Sequence, residues 1–324
     1  MKIFINGFGR IGRTVLRQVL STHPDVHIVG INDIAPLDIC AYLFRYDSVY
    51  GPFPGEVTTT DGALNVNGRH LPFTHTPDLS TLDLSGVDIV MECTGKAGSR
   101  DVAERGLTAG AYRVLISGPS DAADQTVVLG ANADALTDAR IVSNASCTTN
   151  AIAPLLRTLD NAFGITHGHI TTIHCYTGSQ PTVDAPGPSF ERSRAAAVSM
   201  VPTTTSAANQ IARILPDMDG RLSVSAVRVP CISVSSVDAV LQLRAAPTED
   251  STATLEACLK DNPVIGVTHD PCVSSDLRAR PESLIVALPE TQWIGTHQLR
   301  LLGWYDNEWG FSARMIDVAR AMTA

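Results

Sequence analysis

Residues 2–12 read KIFINGFGRIG, and this stretch decides the fold. Its glycines, Gly7, Gly9 and Gly12, fit the spacing G-x-G-x-x-G, which is informative only between a strand and a helix. That context is present, because the residues before Gly7 are apolar and residues 10–20 have the periodicity of an amphipathic helix. Gly7 permits a tight turn, Gly9 lets a pyrophosphate approach the backbone, and Gly12 allows close helix packing. The stretch predicts a dinucleotide-binding turn.

An acidic residue, Asp33, ends the next strand-like run. The helix that follows the glycines would offer unpaired N–H groups and a partial positive charge to phosphates, even in a chain whose net charge is -9. Asp33 lies about 20 residues beyond Gly12, where a carboxylate accepts hydrogen bonds from the adenosine ribose and repels a 2′-phosphate. We therefore expect NAD rather than NADP. The alternative is that the three glycines form only a tight strand-to-helix turn.

Outward from this stretch, the first half of the chain alternates strand-like runs with helical patterns. Strands are predicted at 2–6, 26–32, 87–92, 113–117, 126–129 and 140–143, and helices at 10–20 and 101–109. Strands separated by helices are typical of a doubly wound, mostly parallel sheet. The second half has longer strand-like runs, at 167–176, 221–229, 233–243 and 298–303. These runs lack a helix after every strand, which predicts a mixed or antiparallel sheet.

The change of pattern near Cys147 marks a change of domain. The predicted fold class is α/β, with an N-terminal Rossmann doubly wound parallel sheet and a second α+β catalytic domain. We expect residues 1–147 to form the NAD-binding domain and residues 148–310 the catalytic domain. Residues 311–324 are expected to form a C-terminal helix that packs back on the NAD-binding domain.

Composition disfavours several classes of partner. The chain has 324 residues, 44% of them hydrophobic and 18% charged, which is typical of a globular protein. The net charge of -9 leaves no basic stripe for nucleic acid or an anionic membrane. No leader pattern and no run of about 18 apolar residues occurs, so we expect a cytoplasmic protein. The seven cysteines contain no C-x-x-C pair, so neither a disulfide framework nor a metal site is expected.

Residues 143–150 read SNASCTTN and place Cys147 between a strand and the helical pattern 151–159. A helix N-terminus stabilises a thiolate, so we expect the pKa of this thiol to be lowered. His174 closes the strand pattern 170–173, and its imidazole would lie at the same sheet edge. The two side chains would supply a nucleophile and a general base. Spacing alone leaves open that the cysteine is a packing residue and the histidine a hydrogen-bonded polar residue.

Several stretches follow one another in the order of a known family. They are residues 6–13 (NGFGRIGR), 143–150 (SNASCTTN), 171–174 (TTIH), 226–230 (AVRVP) and 304–310 (WYDNEWG). Together they resemble the glyceraldehyde-3-phosphate dehydrogenase family. A secondary resemblance to erythrose-4-phosphate dehydrogenase occurs at 93–95, 98–100 and 192–196.

The resemblance implies a phosphorylating oxidation of glyceraldehyde 3-phosphate to 1,3-bisphosphoglycerate. In the family a thiolate adds to the aldehyde, the thiohemiacetal passes a hydride to NAD, and inorganic phosphate cleaves the resulting thioester. Carried over to this chain, Cys147 is the nucleophile and His174 the acid/base. Asn307 resembles the residue that holds the nicotinamide carboxamide. A phosphorylated aldose and inorganic phosphate are the implied partners.

The resemblance also assigns residues to the cofactor cleft and to two anion sites. The cleft is lined in the family at the positions of Phe8, Arg10, Ile11, Thr94 and Ser117. In the family the substrate phosphate is bound at the positions of Thr177, Ser179 and Arg228. In the family the attacking phosphate is bound at the positions of Ser146, Thr148, Arg194, Thr205 and Ser206. Ordinary alternatives are a strand-surface ion pair for Arg228 and a turn hydroxyl for Thr177.

Four departures from the family pattern affect these assignments. Pro181 stands where the family commonly has Lys, and Ser206 stands where Gly is frequent. Arg280 reverses a charge in a region that the family uses near subunit contacts. Ala185 stands where many NAD-specific members have Leu, a change that can relax the exclusion of NADP. We weigh the carboxylate of Asp33 more heavily and retain NAD.

Three alternative functions stay open. The first is erythrose-4-phosphate dehydrogenase, which typically releases the acyl group with water. The second is a specialised paralogue that uses arsenate or another oxyanion, and the third is a catalytically silent NAD-binding regulatory protein. A biosynthetic semialdehyde dehydrogenase is not expected to carry residues 304–310. The family and the long stretch 177–199, rich in Gly, Pro, Ser and Ala, imply a homotetramer.

Overall fold

The chain forms two units and passes between them more than once. The structure is a computed structural model that describes residues 1–245 and 251–324. The first unit comprises Met1–Val127, Asp134–Ser146 and Phe311–Ala324. The second unit comprises Val128–Ala133 and Cys147–Gly310.

Strands and helices are numbered here in chain order. The strands are β1 (Lys2–Asn6), β2 (His27–Asn32), β3 (Val57–Thr60), β4 (Ala63–Val66), β5 (Arg69–Thr74), β6 (Ile89–Glu92), β7 (Arg113–Ile116), β8 (Gln125–Thr126), β9 (Ile141–Ser143), β10 (Ile165–Cys175), β11 (Val201–Thr203), β12 (Leu222–Val229), β13 (Ser235–Leu243), β14 (Ile265–Thr268), β15 (Leu284–Ala287), β16 (Gln292–Ile294) and β17 (Gln298–Tyr305). The helices are α1 (Arg10–Thr22), α2 (Leu37–Arg45), α3 (Arg100–Ala103), α4 (Arg105–Thr108), α5 (Cys147–Phe163), α6 (Ala207–Ile214), α7 (Ser251–Lys260) and α8 (Trp309–Thr323).

The first unit is built on one sheet with the strand order β3-β4-β5-β2-β1-β6-β7-β9-β8. Pairing is parallel from β5 through to β8, and only β3, β4 and β5 pair antiparallel to one another. Because β1 lies in the middle of the sheet, Ile3 and Ile5 are fully buried. The fold class predicted for this half is confirmed, and the antiparallel edge is an addition that the sequence patterns did not indicate.

The second unit is built on a mixed sheet with the order β11-β12-β10-β13-β17-β15-β14, and β16 pairs with β17. Strand β10 is parallel to β12 and antiparallel to β13. This confirms the mixed sheet predicted for the second half. The register matters for the chemistry, because it places His174 beside Arg228 on the neighbouring strand.

Three predicted elements differ in extent. The helix expected at 101–109 is two short helices, α3 and α4, and Gly106 packs so tightly that a Cβ would lie 2.9 Å from a Val114 methyl. The strand expected at 126–129 is reduced to β8. Helix α5 begins at Cys147, before the predicted start, and continues through Pro154. Periodicity does not detect this first turn, because its residues are small and polar.

Helix α8 contributes to both units. Its first two residues belong to the second unit, and from Phe311 onward it belongs to the first. Within the first unit, Met315 and Ile316 are fully buried, and Arg320 Nη2 lies 2.9 Å and 3.0 Å from the two carboxylate oxygens of Asp25. None of the helices in residues 1–245 and 251–324 is long and apolar enough to cross a membrane.

Candidate active site

A pocket of about 290 Å³ lies in the first unit, where the parallel strands end; we name it the cofactor pocket. It is lined by Asn6, Gly7, Gly9, Asn32, Asp33, Ile34, Thr76, Pro77, Leu79, Glu92, Cys93, Thr94, Lys96, Val102 and Arg105. The carboxyl ends of parallel strands are where open α/β sheets bind ligands. Of the predicted cofactor residues, Gly7, Gly9, Asp33 and Thr94 line this pocket.

The glycine loop fits a bound phosphate group. Gly7 has a φ of +93°, and a Cβ there would lie 2.7 Å from Cys93 C and Thr94 N. A Cβ on Gly12 would lie 2.2 Å from the carbonyl oxygen of Gly7, so α1 packs closely on the loop. At Gly9, by contrast, a Cβ would meet nothing within 4 Å. Open space therefore lies over the backbone at the residue that precedes α1, where N–H groups attract anions.

Asp33 is held in place by two backbone donors. Its Oδ2 accepts from Phe8 N at 2.6 Å, and its Oδ1 accepts from Ala35 N at 2.8 Å. Each oxygen keeps a free lone pair that can accept from a ribose hydroxyl. The Phe8 ring is buried between Phe44 and Phe73, so this residue contributes its backbone rather than its side chain.

Other predicted cofactor residues do not line the cofactor pocket. Arg10 is ion-paired with Asp47 and lies over the Tyr50 ring. Ile11 and Gly12 lie on α1, and Ser117 N donates to Glu92 O at 3.0 Å at the end of a neighbouring strand. Conversely, sequence reasoning missed the wall residues Ile34, Thr76, Pro77, Leu79, Lys96, Val102 and Arg105. They belong to no recognisable spacing pattern.

The second unit contains a group of four residues, Cys147, His174, Cys175 and Arg228, which we name the thiol centre. Cys147 is the first residue of α5, and its Sγ lies 3.5 Å from His174 Nε2. His174 Nδ1 lies 2.7 Å from the carbonyl oxygen of Cys175, and Arg228 Nη1 donates to the same oxygen at 2.9 Å. We assign the ring proton to Nδ1, where it can donate to the Cys175 carbonyl oxygen, because Nε2 of the neutral ring then presents its lone pair to the thiol. The structure thus brings together the two residues predicted to be catalytic.

Burial controls the protonation of the thiol centre. It lowers the pKa of His174 to about 4, and the positive charge of Arg228 acts in the same direction. Burial also raises the pKa of Cys147, against the opposing effects of Arg228 and of hydrogen bonding from Thr148. The expectation that the helix N-terminus would lower the pKa of this thiol is therefore wrong in its net direction. The centre rests as a neutral thiol beside a neutral imidazole.

The residues predicted to bind the substrate phosphate follow the thiol centre in the chain. Thr177 Oγ1 and Ser179 Oγ lie 2.9 Å apart just beyond β10. Arg228 is the nearby cation of the thiol centre, in contact with both His174 and Cys175. Arg228 does not form the isolated strand-surface ion pair considered for it, because it donates to the backbone carbonyl oxygen of Cys175 beside the His174 ring.

The residues predicted for the attacking phosphate are only partly brought together. Thr205 and Ser206 lie at the N-terminus of α6, where Thr205 Oγ1 accepts from Ala207 N at 3.1 Å. Thr148 follows Cys147, and its hydroxyl lies 3.0 Å from that of Tyr305. Ser146 is the residue directly before Cys147.

The predicted cation of this second site, Arg194, is paired with a carboxylate. Arg194 is largely exposed and its Nε donates to Asp184 Oδ2 at 2.9 Å. The arginine beside the threonines is Arg192, whose Nε donates to Thr203 Oγ1 at 2.7 Å. Sequence reasoning missed Arg192 as a site residue, because the partners of the two arginines are visible only in the structure.

Asn307 lies two residues beyond β17 and is almost fully buried. Its Oδ1 accepts from Cys175 Sγ at 3.1 Å, so it is in contact with the thiol centre. Asn307, which the sequence predicts to bind the nicotinamide carboxamide, therefore contacts Cys175, the residue that follows His174 in the chain.

Comparison with known proteins matches both halves of the chain. Residues 1–100 match the family model described as glyceraldehyde 3-phosphate dehydrogenase, NAD binding domain. Residues 146–307 match the model described as glyceraldehyde 3-phosphate dehydrogenase, C-terminal domain.

Individual relatives match over nearly the whole chain. A glyceraldehyde-3-phosphate dehydrogenase of Cereibacter sphaeroides is 44% identical, over 99% of this chain and 98% of the relative. Proteins of the same name from Xanthobacter flavus and Geobacillus stearothermophilus are 45% and 40% identical, and the alignments cover 99% and 98% of this chain and 98% and 97% of the relatives. The resemblance seen in the sequence is thereby confirmed.

Proposed function

Because the chain belongs to the glyceraldehyde 3-phosphate dehydrogenase family, we propose that it oxidises glyceraldehyde 3-phosphate to 1,3-bisphosphoglycerate with NAD and inorganic phosphate. The observation that carries the proposal is the 3.5 Å approach of Cys147 Sγ to His174 Nε2. In this proposal residues 1–147 form the NAD-binding domain, residues 148–310 the catalytic domain, and residues 311–324 a helix that completes the NAD-binding domain.

The first step is attack by sulfur on the aldehyde carbon. A neutral thiol is a weak nucleophile, so His174 Nε2 takes its proton as the S–C bond forms and delivers it to the aldehyde oxygen. A pKa of about 4 keeps the imidazole unprotonated and ready to accept at neutral pH. The hydrogen bond from Nδ1 to Cys175 O holds the ring and favours the tautomer that this step needs.

Oxidation and release complete the cycle. When bound, NAD would supply the hydride acceptor, and the glycine loop and Asp33 would hold it. The family resemblance gives Asn307 the role of binding the nicotinamide carboxamide. As the thiohemiacetal carbon is oxidised, its hydroxyl proton goes to His174 and a thioester remains on Cys147. An oxygen of inorganic phosphate then attacks the thioester carbon, the C–S bond breaks, and the sulfur leaves with the proton returned from His174.

The two anions are distinguished by the groups that bind them. We assign Thr177, Ser179 and Arg228 to the substrate phosphate, as the family resemblance implies. We assign Ser146, Thr148, Thr205 and Ser206 to the attacking phosphate. For its cation we propose Arg192 in place of Arg194, because Arg192 contacts Thr203 beside Thr205 whereas Arg194 is ion-paired with Asp184.

The test is an assay of NADH formation with glyceraldehyde 3-phosphate, in the presence and absence of inorganic phosphate. We expect turnover that depends on phosphate and that arsenate also supports, since both are tetrahedral oxyanions. Equal rates without either anion would contradict the phosphorylating reaction and favour release by water. Faster turnover of erythrose 4-phosphate would favour an erythrose-4-phosphate dehydrogenase. NAD binding without turnover of either sugar phosphate would indicate a regulatory protein.

We also propose that the protein is a cytoplasmic homotetramer. Supporting this, the stretch 177–199 exposes large apolar side chains, among them Val183, Phe190 and Val198, and exposed apolar patches commonly mark protein interfaces. A solution mass measurement tests it, and a monomer would contradict the proposal.

A further inference from the structure

Three strand ends of the second unit meet at the Asn307 side chain. Cys175 is the last residue of β10 and Ser235 the first residue of β13, and both are about 1% exposed. Cys175 Sγ lies 3.1 Å and Ser235 Oγ 3.4 Å from Asn307 Oδ1. The cluster is closed by Cys175 N, which donates to Ser235 Oγ at 3.1 Å.

This arrangement determines which end of the amide faces the protein. A thiol and a hydroxyl each carry one hydrogen, and both are directed at Asn307 Oδ1. Rotating the amide by half a turn would place Nδ2 against them and leave the S–H and O–H without that acceptor, in a site that excludes water. The Oδ1-inward orientation is therefore the one that Cys175 and Ser235 favour.

The same orientation leaves the amide nitrogen free. In the part of the chain that the structure describes, Asn307 Nδ2 has no hydrogen-bond partner, although the residue is only 7% exposed. This free donor can therefore bind a ligand acceptor. A nicotinamide carboxamide offers one acceptor, its oxygen, and one donor group, its NH₂.

We propose that Cys175, with Ser235, is a positioning residue that orients Asn307 so that Nδ2 donates to the carboxamide oxygen of the nicotinamide. The proposal rests on the role given to Asn307 under the proposed function. Selecting the carboxamide oxygen fixes the rotation of the ring and hence the face that receives the hydride. Cys175 would thus act on the cofactor through Asn307, without taking part in the chemistry at Cys147.

The experiment measures binding by calorimetry, so it does not depend on turnover. NAD is titrated into the intact chain and into Cys175→Ala, which removes the side-chain donor, and Cys175→Ser, which keeps one. We expect Cys175→Ala to weaken NAD binding about three- to tenfold and Cys175→Ser to remain within about twofold, as for one neutral hydrogen bond. Ser235→Ala, the second variant, should weaken binding less, because its bond to Oδ1 is the longer one.

A cofactor analogue tests the direction of the hydrogen bond in the unmodified chain. 3-Acetylpyridine adenine dinucleotide keeps the carbonyl oxygen and replaces NH₂ by a methyl group. We expect it to bind the intact chain within about threefold of NAD and to lose affinity in parallel with NAD in Cys175→Ala. In the intact chain this comparison tests the direction of the hydrogen bond at Asn307, and Ser235→Ala tests the positioning if Cys175→Ala does not fold.

The outcomes separate this inference from the proposed function. An intact chain that does not bind NAD overturns both. If the intact chain binds NAD and Cys175→Ala binds it equally well, only the inference fails. It also fails if Cys175→Ser is as weak as Cys175→Ala, which would indicate lost packing, or if the acetylpyridine analogue binds far more weakly than NAD.

Discussion

The cofactor pocket and the thiol centre are built in opposite ways. The glycine loop of the pocket is one continuous stretch, residues 7–12, and it offers backbone N–H groups and empty space. The thiol centre takes side chains from the start of α5 and from two neighbouring strands, and the strand register brings them together. The comparison teaches that the loop is vulnerable to an added methyl group and the thiol centre to a removed functional group. Each prediction below tests one side of that contrast.

The largest effect is expected at the nucleophile. Cys147→Ser replaces the thiol by a hydroxyl that His174 is too weak a base to activate, so NADH formation should fall by about 10⁴-fold or more. Cys258→Ser is the matched control, since this thiol lies on α7 and has no role in the mechanism. Substantial turnover by Cys147→Ser would remove the proposed chemistry, whereas NAD binding should survive in both variants.

The general base comes next. His174→Asn keeps a polar side chain but loses the proton acceptor, and we expect turnover to fall about 10²- to 10⁴-fold with little change in NAD affinity. The measurement is steady-state NADH formation together with calorimetric NAD binding. A loss of less than about tenfold would mean that another group takes the proton from Cys147.

The same histidine makes folding stability depend on pH. Its pKa is about 4 in the folded chain against 6.5 ordinarily, so the unfolded chain binds the proton first as the pH falls. The free energy of unfolding should therefore be highest above about pH 6.5 and should fall by about 3 kcal/mol as the pH is lowered to 4. Urea unfolding at fixed protein concentration should show a shallower loss for His174→Gln than for the intact chain. Identical pH dependence in the two proteins would contradict the low pKa.

The two candidates for the cation of the attacking-phosphate site, Arg192 and Arg194, form a matched pair. Arg192→Ala should raise the KM for inorganic phosphate about tenfold or more, as expected when a charged hydrogen-bond donor is lost. Arg194→Ala should change that KM less than about twofold, because Arg194 is exposed and paired with Asp184. The reverse ranking would restore the assignment made from the sequence. Phosphate-dependence curves of both variants decide between them.

The smallest effect tests the backbone side of the comparison. Gly9→Ala adds a methyl group into open space, so folding should be preserved while NAD affinity falls about tenfold as the phosphates are pushed away. Gly7→Ala is the contrasting variant, because its φ of +93° and the 2.7 Å approach to Cys93 should also destabilise the fold by at least about 1 kcal/mol. Thermal unfolding and NAD titration separate the two effects. Unchanged NAD affinity in Gly9→Ala would contradict the assigned phosphate position.

The same contrast explains what could be predicted from the sequence. The glycine loop and its place between β1 and α1 were predictable, because the information lies within one short stretch. The contact of Cys147 with His174 was not predictable from spacing, since it depends on where the start of α5 lies relative to the end of β10. The direction of the thiol pKa was misjudged because a helix end is visible in a sequence whereas burial is not. Choosing between Arg192 and Arg194 likewise required seeing their partners.

Helix α8 has a consequence for how the chain acquires its structure during synthesis. The first unit takes residues 311–324 from the far end of the chain, and these include the fully buried Met315, Ile316 and Val318. A ribosome releases the N-terminal part of a protein first, so the core of this unit stays open until residues 311–324 have emerged. Until then its apolar face is exposed to aggregation and to chaperones. A nascent chain stalled before residue 311 should therefore be far more sensitive to protease in its first unit than the finished protein.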